Sequence, residues 1–415
     1  MIAWEIKKEL PMFSKKISPV YILLTLAILF YCLDYFFRIS PSLVLLQLLK
    51  QYDMSPLGIA TMASAFYLGY VLFQLPAGWL FDRFNYNKVM IISIVLCTVF
   101  YCFFIFSTNY NAGLIYRFLI GATSAFSFIG VLHLARAYLP LRYFSFISGV
   151  TIALGTVAAA FAQFISALFL SLFNWHTILF SLACWGIVIA ILMSISYLNL
   201  CRQTRTHELH PVIKLSCKPH SFSHLFTSPS FMINALIGGL IYLPTSIFAG
   251  LWGITFLKTG YHLIDTQSSF AILLLFMGWA IGAPLIGWWA EGNKNYLKWL
   301  MVATFLLAGL TFIFIRYPEL IGNGIFVLLF LFGLLSSFQV LVWRHFNEIC
   351  PLELSAAGIA LTNMVIMLST SFFHVLVGKW IGNVGTSVCF LQIQHGLYIL
   401  PVVFFVAGAL LLFQR

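Results

Sequence analysis

Charge is scarce in this chain of 415 residues. Asp, Glu, Lys and Arg make up 8% of it, against about 25% in an ordinary soluble domain, while apolar residues reach 62%. So little polar surface cannot cover a folded core in water, which excludes a soluble globular protein. Other absences narrow the field further. No G-x-x-x-x-G-K-[ST] phosphate loop is present, so ATP hydrolysis is not the expected energy source. The eight cysteines (Cys32, Cys97, Cys102, Cys184, Cys201, Cys217, Cys350 and Cys389) form no CxxC pair. Nothing therefore supports a redox or metal role, and no cofactor is expected. No nucleophile and base stand in a recognisable set, so an enzyme is not expected either. No small-residue cleavage site follows the N-terminal lysines and the run Val20 to Leu33, which is read as an uncleaved first span.

What the chain does have is apolar runs long enough to cross about 30 Å of hydrocarbon, at about 20 residues each. They fall at 18–40, 56–81, 88–107, 111–139, 144–172, 176–198, 231–257, 267–290, 296–316, 321–346, 356–381 and 389–413. Two stretches read as copies. In YLGYVLFQLPAGWLFDRF, from Tyr67, and FMGWAIGAPLIGWWAEGN, from Phe276, Gly69 falls on Gly278, Tyr70 on Trp279, Gly78 on Gly287, Trp79 on Trp288 and Asp82 on Glu291. A repeat of half the chain length is a duplicated half, and in so apolar a chain it suggests a transporter built about a pseudo-two-fold axis. The expected fold is an all-α membrane protein of twelve transmembrane helices: a six-helix bundle over 1–198, a cytoplasmic linker over 199–230 and a second six-helix bundle over 231–415. The linker's His207, His210, His220 and His224 match no ligand template.

The basic excess, +11, follows from topology. With both termini cytoplasmic, fourteen Lys and Arg of the termini and connecting segments fall inside, and only Lys50, Lys258, Arg316 and Lys379 fall outside. That is the bias that orients spans, so no nucleic-acid partner is implied. The expected location is a plasma membrane, a bacterial inner membrane in particular, with the lipid bilayer as a partner.

The segment Gly78-Trp-Leu80-Phe-Asp82-Arg83-Phe-Asn85-Tyr-Asn-Lys88 resembles the G-x-L-x-D-R-x-G-x-x-K/R signature of the major facilitator superfamily, with Asn85 at the second glycine. Asparagine tolerates the positive φ that such a turn uses. Arg117-Phe-Leu-Ile-Gly121-Ala-Thr-Ser-Ala125 is similar to the superfamily's span 4 pattern. The resemblance implies that Gly78, Asp82, Arg83 and Lys88, with Glu291 as the repeat counterpart, serve gating, Asp82 contacting the N-terminal end of span 11. The alternative is that they only mark a short cytoplasmic turn. In span 5, Gly149 and Gly155 are followed by Thr156 where proton-coupled drug exporters carry proline, which weighs against drug:proton antiport.

Charged groups inside a membrane are costly and usually line a cavity. Helix rise places Asp34, Arg38 and Arg117 in one slab of the outer half. They are either a buried ion cluster that fixes packing or a pair of guanidinium forks for a carboxylate or phosphate, with Asp34 titrating or holding a cation. The phrase from Tyr35 to Ser42, and Gly130 to Ala135, resemble carriers of organic anions, sugar phosphates and amino acids or peptides, which often have lysine where His133 stands. His133 is then either a titratable coupling group or a packing residue. Gln163 and His374 are further candidates for polar contact. Arg344 and Glu348 are one turn apart, an intrahelical pair or part of the cytoplasmic gate. The aromatic residues are read mostly as lipid-facing or packing.

These readings lead to a secondary transporter that moves a small anionic or zwitterionic organic solute (carboxylate, phosphate ester, amino acid or peptide) by alternating access. Proton symport is the expected coupling and a monomer the expected state. The alternatives are export of an amphipathic compound, a siderophore or drug, and a transporter-like solute receptor.

Overall fold

The computed structural model describes residues 19–138, 144–170, 172–204, 228–291, 293–350, 355–382 and 389–414. The described residues are almost wholly helical, and twelve helical segments are long and apolar enough to cross a membrane. We number them spans 1 to 12: Tyr21–Ser42, Pro56–Phe81, Tyr86–Phe106, Tyr110–Ala135, Val150–Phe169, Trp175–Asn199, Pro229–Gly260, Asp265–Ala290, Tyr296–Arg316, Pro318–Phe346, Gly358–Ile381 and Phe390–Gln414. A helix satisfies all its interior backbone groups within itself, which is why apolar runs of this length fold this way in lipid. The helix of span 6 continues to Thr204 and the next helix begins at Pro229. Most of the expected linker, with its four histidines, lies outside the described residues.

Span 1 begins, and span 12 ends, on what we call the near side. Ser230, at the start of span 7, donates from Oγ to Gln414 Oε1 at 2.8 Å and so shares that side. The opposite face is the far side.

The sequence repeat is reproduced as a repeat of helix crossings. A Cβ on Gly69 would lie 2.1 Å from the carbonyl oxygen of Phe118, and one on Gly121 only 1.9 Å from that of Phe66. Spans 2 and 4 therefore meet backbone to backbone, an approach only glycine permits. In the second half the same distances recur, 2.1 Å from Gly278 to Phe330 O and 1.9 Å from Gly333 to Leu275 O, joining spans 8 and 10. Spans 3 and 6 pack together as spans 9 and 12 do, while span 2 against span 11 and span 5 against span 8 join the halves.

Two local departures shape the centre. Span 7 is α-helical to Leu243 and then widens to a π-helix over Pro244–Trp252. Proline has no N–H to continue the ladder, and π segments gather at functional sites. Span 1 ends in a 3-10 turn over Ser40–Ser42. On the far side the halves touch: a Cβ on Gly378 would meet Ala60 Cβ at 2.2 Å, and Phe164 packs on Phe270 with ring centroids 5.8 Å apart.

Candidate functional site

The last two turns of span 1 carry two of the three buried Asp, Glu, Lys or Arg residues among the described residues, the third being Arg117 of span 4. Asp34 and Arg38 lie one turn apart on one helix face, and Arg38 Nη2 donates to Asp34 Oδ2 at 3.2 Å with both side chains almost fully enclosed. Ser127 of span 4 donates to the same oxygen at 3.2 Å. Aromatic rings surround the guanidinium: Tyr35 at 4.5 Å, Tyr70 at 5.0 Å, Phe66 at 5.5 Å and Tyr67 at 5.8 Å from its central carbon. Such faces attract a cation, more strongly when water is excluded. Tyr242 of span 7 lies close enough to Arg38 and Tyr35 to interact with both, so both halves contribute.

Arg117 joins this group but points its donors elsewhere. Its Nη1 donates to Phe37 O at 2.8 Å and its Nη2 to Arg38 O at 3.2 Å. The last carbonyls of a helix have no partner within it, and in a membrane no water replaces one. A cation there also faces the negative end of the helix dipole. Arg117 therefore clamps the far end of span 1, and Arg38 is the arginine whose fork is directed to side chains.

The remaining candidates separate. His374, in span 11, stacks on Tyr67 at 5.2 Å and is buried with neither ring nitrogen paired; through Tyr67 it belongs to the Arg38 group. Gln163 donates to Ser42 Oγ at 2.6 Å. Ser42 also lines a far-side cavity of about 300 Å³ between the halves, where Lys258 and Asp265 form an ion pair at 2.7 Å. His133 is elsewhere. Sixteen residues after Arg117 and so about 24 Å further along span 4 at ~1.5 Å per residue, it stacks between Phe81 at 5.6 Å and Tyr86 at 5.7 Å.

On the near side, Gly78 has no neighbour within 4 Å of a Cβ position, and Arg83 lies over the Trp79 ring at 4.8 Å. Asn85 has φ of −61°, not the positive value anticipated from the signature's glycine. It is an N-cap, its Oδ1 accepting from the backbone N–H groups of Asn87 at 3.1 Å and Lys88 at 3.3 Å. Asp82 and Glu291 stand at the ends of the span 2 and span 8 helices, and the contacts of their side chains lie outside what the structure describes. Arg344 and Glu348 pair at 3.7 Å, and Tyr296 donates to Glu348 Oε2.

The reading of the aromatics as lipid-facing or packing misses Tyr35, Tyr67 and Tyr70, which are buried around Arg38. A signal was present: Tyr67 and Tyr70 are three apart, hence on one face of span 2. Ser127 carried none, being an ordinary serine in an apolar helix.

The fold and this polar centre define a multi-pass membrane transporter. A sequence profile described as Major Facilitator Superfamily matches residues 24–374, and the chain belongs to that superfamily. It is 28% identical over 332 residues to an "Uncharacterized MFS-type transporter YceJ" of Bacillus subtilis (strain 168), covering 76% of this chain and 77% of that one. It is 23% identical to the "Probable galactarate/D-glucarate transporter GudP" of Escherichia coli (strain K12), over 90% and 89% of the two chains. Among solved structures, a bacterial homologue of the human lysosomal transporter Spinster superposes with a TM-score of 0.75 at 13% identity, covering 94% of this chain and 96% of the other. These relatives are transporters, not enzymes.

Proposed function

We propose that this transporter carries a small hydroxylated carboxylate, a sugar acid or a solute of similar charge and size, by alternating access with proton symport. The carrying observation is a set of buried polar atoms without partners where the halves meet: Asp34 Oδ1, Arg38 Nε and both ring nitrogens of His374. Buried polar groups are nearly always paired, and ionisable groups at membrane depth are costly unless used. A hydroxylated anion supplies what these atoms lack. Arg38 offers planar donors to a carboxylate, and the surrounding tyrosine hydroxyls suit the solute's own hydroxyls.

Charge balance favours an anion over a cation, since Arg38 and Arg117 bring two positive charges to this centre against one, Asp34, among the described buried residues. Asp34 supplies the coupling logic. As a carboxylate it occupies Arg38; once protonated it releases the guanidinium to the solute. The sugar-acid class gains support from the relative named for galactarate and D-glucarate. The near side is taken as cytoplasmic from the distribution of Lys and Arg, and Gly78, Asp82, Arg83, Lys88, Glu291, Arg344 and Glu348 as elements of its gate.

The test is uptake of labelled D-glucarate and galactarate into proteoliposomes with an inward proton gradient. Saturable uptake that a protonophore abolishes is expected. Absence of uptake for every sugar acid tried, with movement of an amphipathic compound instead, would replace this reading by the exporter.

A further inference from the structure

The near-side ends of the two halves share a tyrosine–histidine pair. Tyr86 and Tyr296 open spans 3 and 9 in the same setting, Asn85-Tyr86-x-Lys88 and Asn295-Tyr296-x-Lys298. His133 and His345 lie the same distance along the chain past Gly121 and Gly333, the glycines of the duplicated crossing. In the first half the rings stack at 5.7 Å with an interplanar angle of 6°. In the second they tilt, and Tyr296 Oη lies 2.9 Å from His345 Nδ1. By the same register Arg136 stands where the second half has Glu348. At that register position the second half has a carboxylate and the first a guanidinium.

The hydrogen bonds around His345 fix its protons. Gln414 Nε2 donates to the backbone oxygen of Ser230 at 2.8 Å, which turns Gln414 Oε1 toward His345 Nε2 at 2.9 Å. An amide oxygen only accepts, so Nε2 carries a proton. Tyr296 has one hydroxyl proton and donates it to Glu348 Oε2. Its oxygen is then left to accept from Nδ1, which carries a proton as well. From span 9 the imidazole faces Tyr296, from its own helix Glu348 and Arg344, and from spans 7 and 12 the uncharged Ser230 and Gln414. Arg344 lies 4.3 Å over the Tyr296 ring. Span 8 also packs on this helix.

We propose that His345, Tyr296 and Glu348 form a proton-binding site at the near-side end of the second half, and that the proton held there ties spans 7, 9, 10 and 12 together. In that site imidazolium donates to the tyrosine and the tyrosine to a carboxylate. Removing one proton to water leaves two protons for three links, so one tie among the spans is lost. Glu348, half-exposed, is the route to near-side water, while His345 is buried. The site is separate from the solute site and stands whether transport is coupled to protons or not.

The test is ¹⁵N NMR of histidine-labelled protein in nanodiscs at pH 7, with the His345 resonances assigned by their loss in His345→Gln, or in His345→Asn if the first does not fold. Wild type is expected to show a proton at both ring nitrogens, or one shared with Tyr296. Glu348→Gln and Tyr296→Phe are each expected to yield a neutral imidazole with a single N–H. A distance measurement between spin labels at the near ends of spans 9 and 12 should show separation at pH 9 relative to pH 6 in wild type, and no such pH response in Glu348→Gln. A neutral His345 in folded wild type at pH 7, or protonation unchanged by Glu348→Gln, would overturn the proposal.

Discussion

Replacing Arg117 by leucine removes both bonds to the end of span 1 while keeping an apolar side chain in a fully buried position. Both carbonyls then lose the guanidinium inside the membrane, and Phe37 O keeps the Ser40 hydroxyl at 3.3 Å. A hydrogen bond from a charged donor contributes about 1.5–3 kcal/mol, and measured values between membrane helices run lower, about 0.6 on average with a maximum near 1.7. Two such bonds give about 1–4 kcal/mol. Contacts of the guanidinium with Phe66 at 4.9 Å and Phe104 at 5.5 Å add about 0.5–1 kcal/mol each, and the recovered cost of burying the charge offsets part of the total. The expected net loss is about 2–4 kcal/mol. Arg117→Lys, which keeps the charge and one donor, should lose roughly half of that. Unfolding in mixed micelles of dodecyl maltoside and SDS, followed by circular dichroism, measures it. Solute affinity of whatever remains folded should change less than threefold. Arg117→Leu within about 0.5 kcal/mol of wild type would refute the clamp. Normal stability with affinity lost in Arg117→Lys would make Arg117 a solute contact instead.

Two further outcomes follow from the glycines. Gly121→Ala and Gly333→Ala each push a Cβ to 1.9 Å from a carbonyl oxygen, so each should cost about 1–3 kcal/mol or more in the same unfolding assay, and by similar amounts because the crossings are copies. Gly78→Ala meets nothing within 4 Å and replaces glycine in a helix interior, so stability should rise by about 0.5–1 kcal/mol; if Gly78 is packed closely in another state of the cycle, uptake should fall in spite of that gain.

The fold was legible because lipid leaves few choices. Apolar length sets the span, and the match of Gly69 to Gly278 foretold a duplicated helix crossing. The Asp34–Arg38 pair was legible too, since i and i+4 share a helix face. Arg117 was legible as a charge at the right depth but not in its task, because its acceptors are backbone carbonyls about 80 residues earlier in the chain. Backbone acceptors leave no mark on the side-chain sequence. Asn85 shows a rule misapplied: the residue was judged by the glycine it replaces, when asparagine before a helix is among the strongest N-caps. His133 was compared with lysines of other carriers, and the rise along span 4 alone separates it from Arg117 by about 24 Å. The tyrosines around Arg38 were lost among the 43 Phe, 18 Tyr and 11 Trp of the chain, where composition hides position.

Isothermal titration of folded wild type and Arg38→Lys with D-glucarate tests the central claim most directly. Lysine keeps the positive charge opposite Asp34, so the fold should persist, but it cannot present a planar fork to a carboxylate. We expect saturable binding by wild type and a loss of at least tenfold in Arg38→Lys, about 1.4 kcal/mol, with the unfolding midpoint little changed. Equal affinity in the two folded proteins would contradict the assignment of Arg38 as the group that recognises the solute's charge.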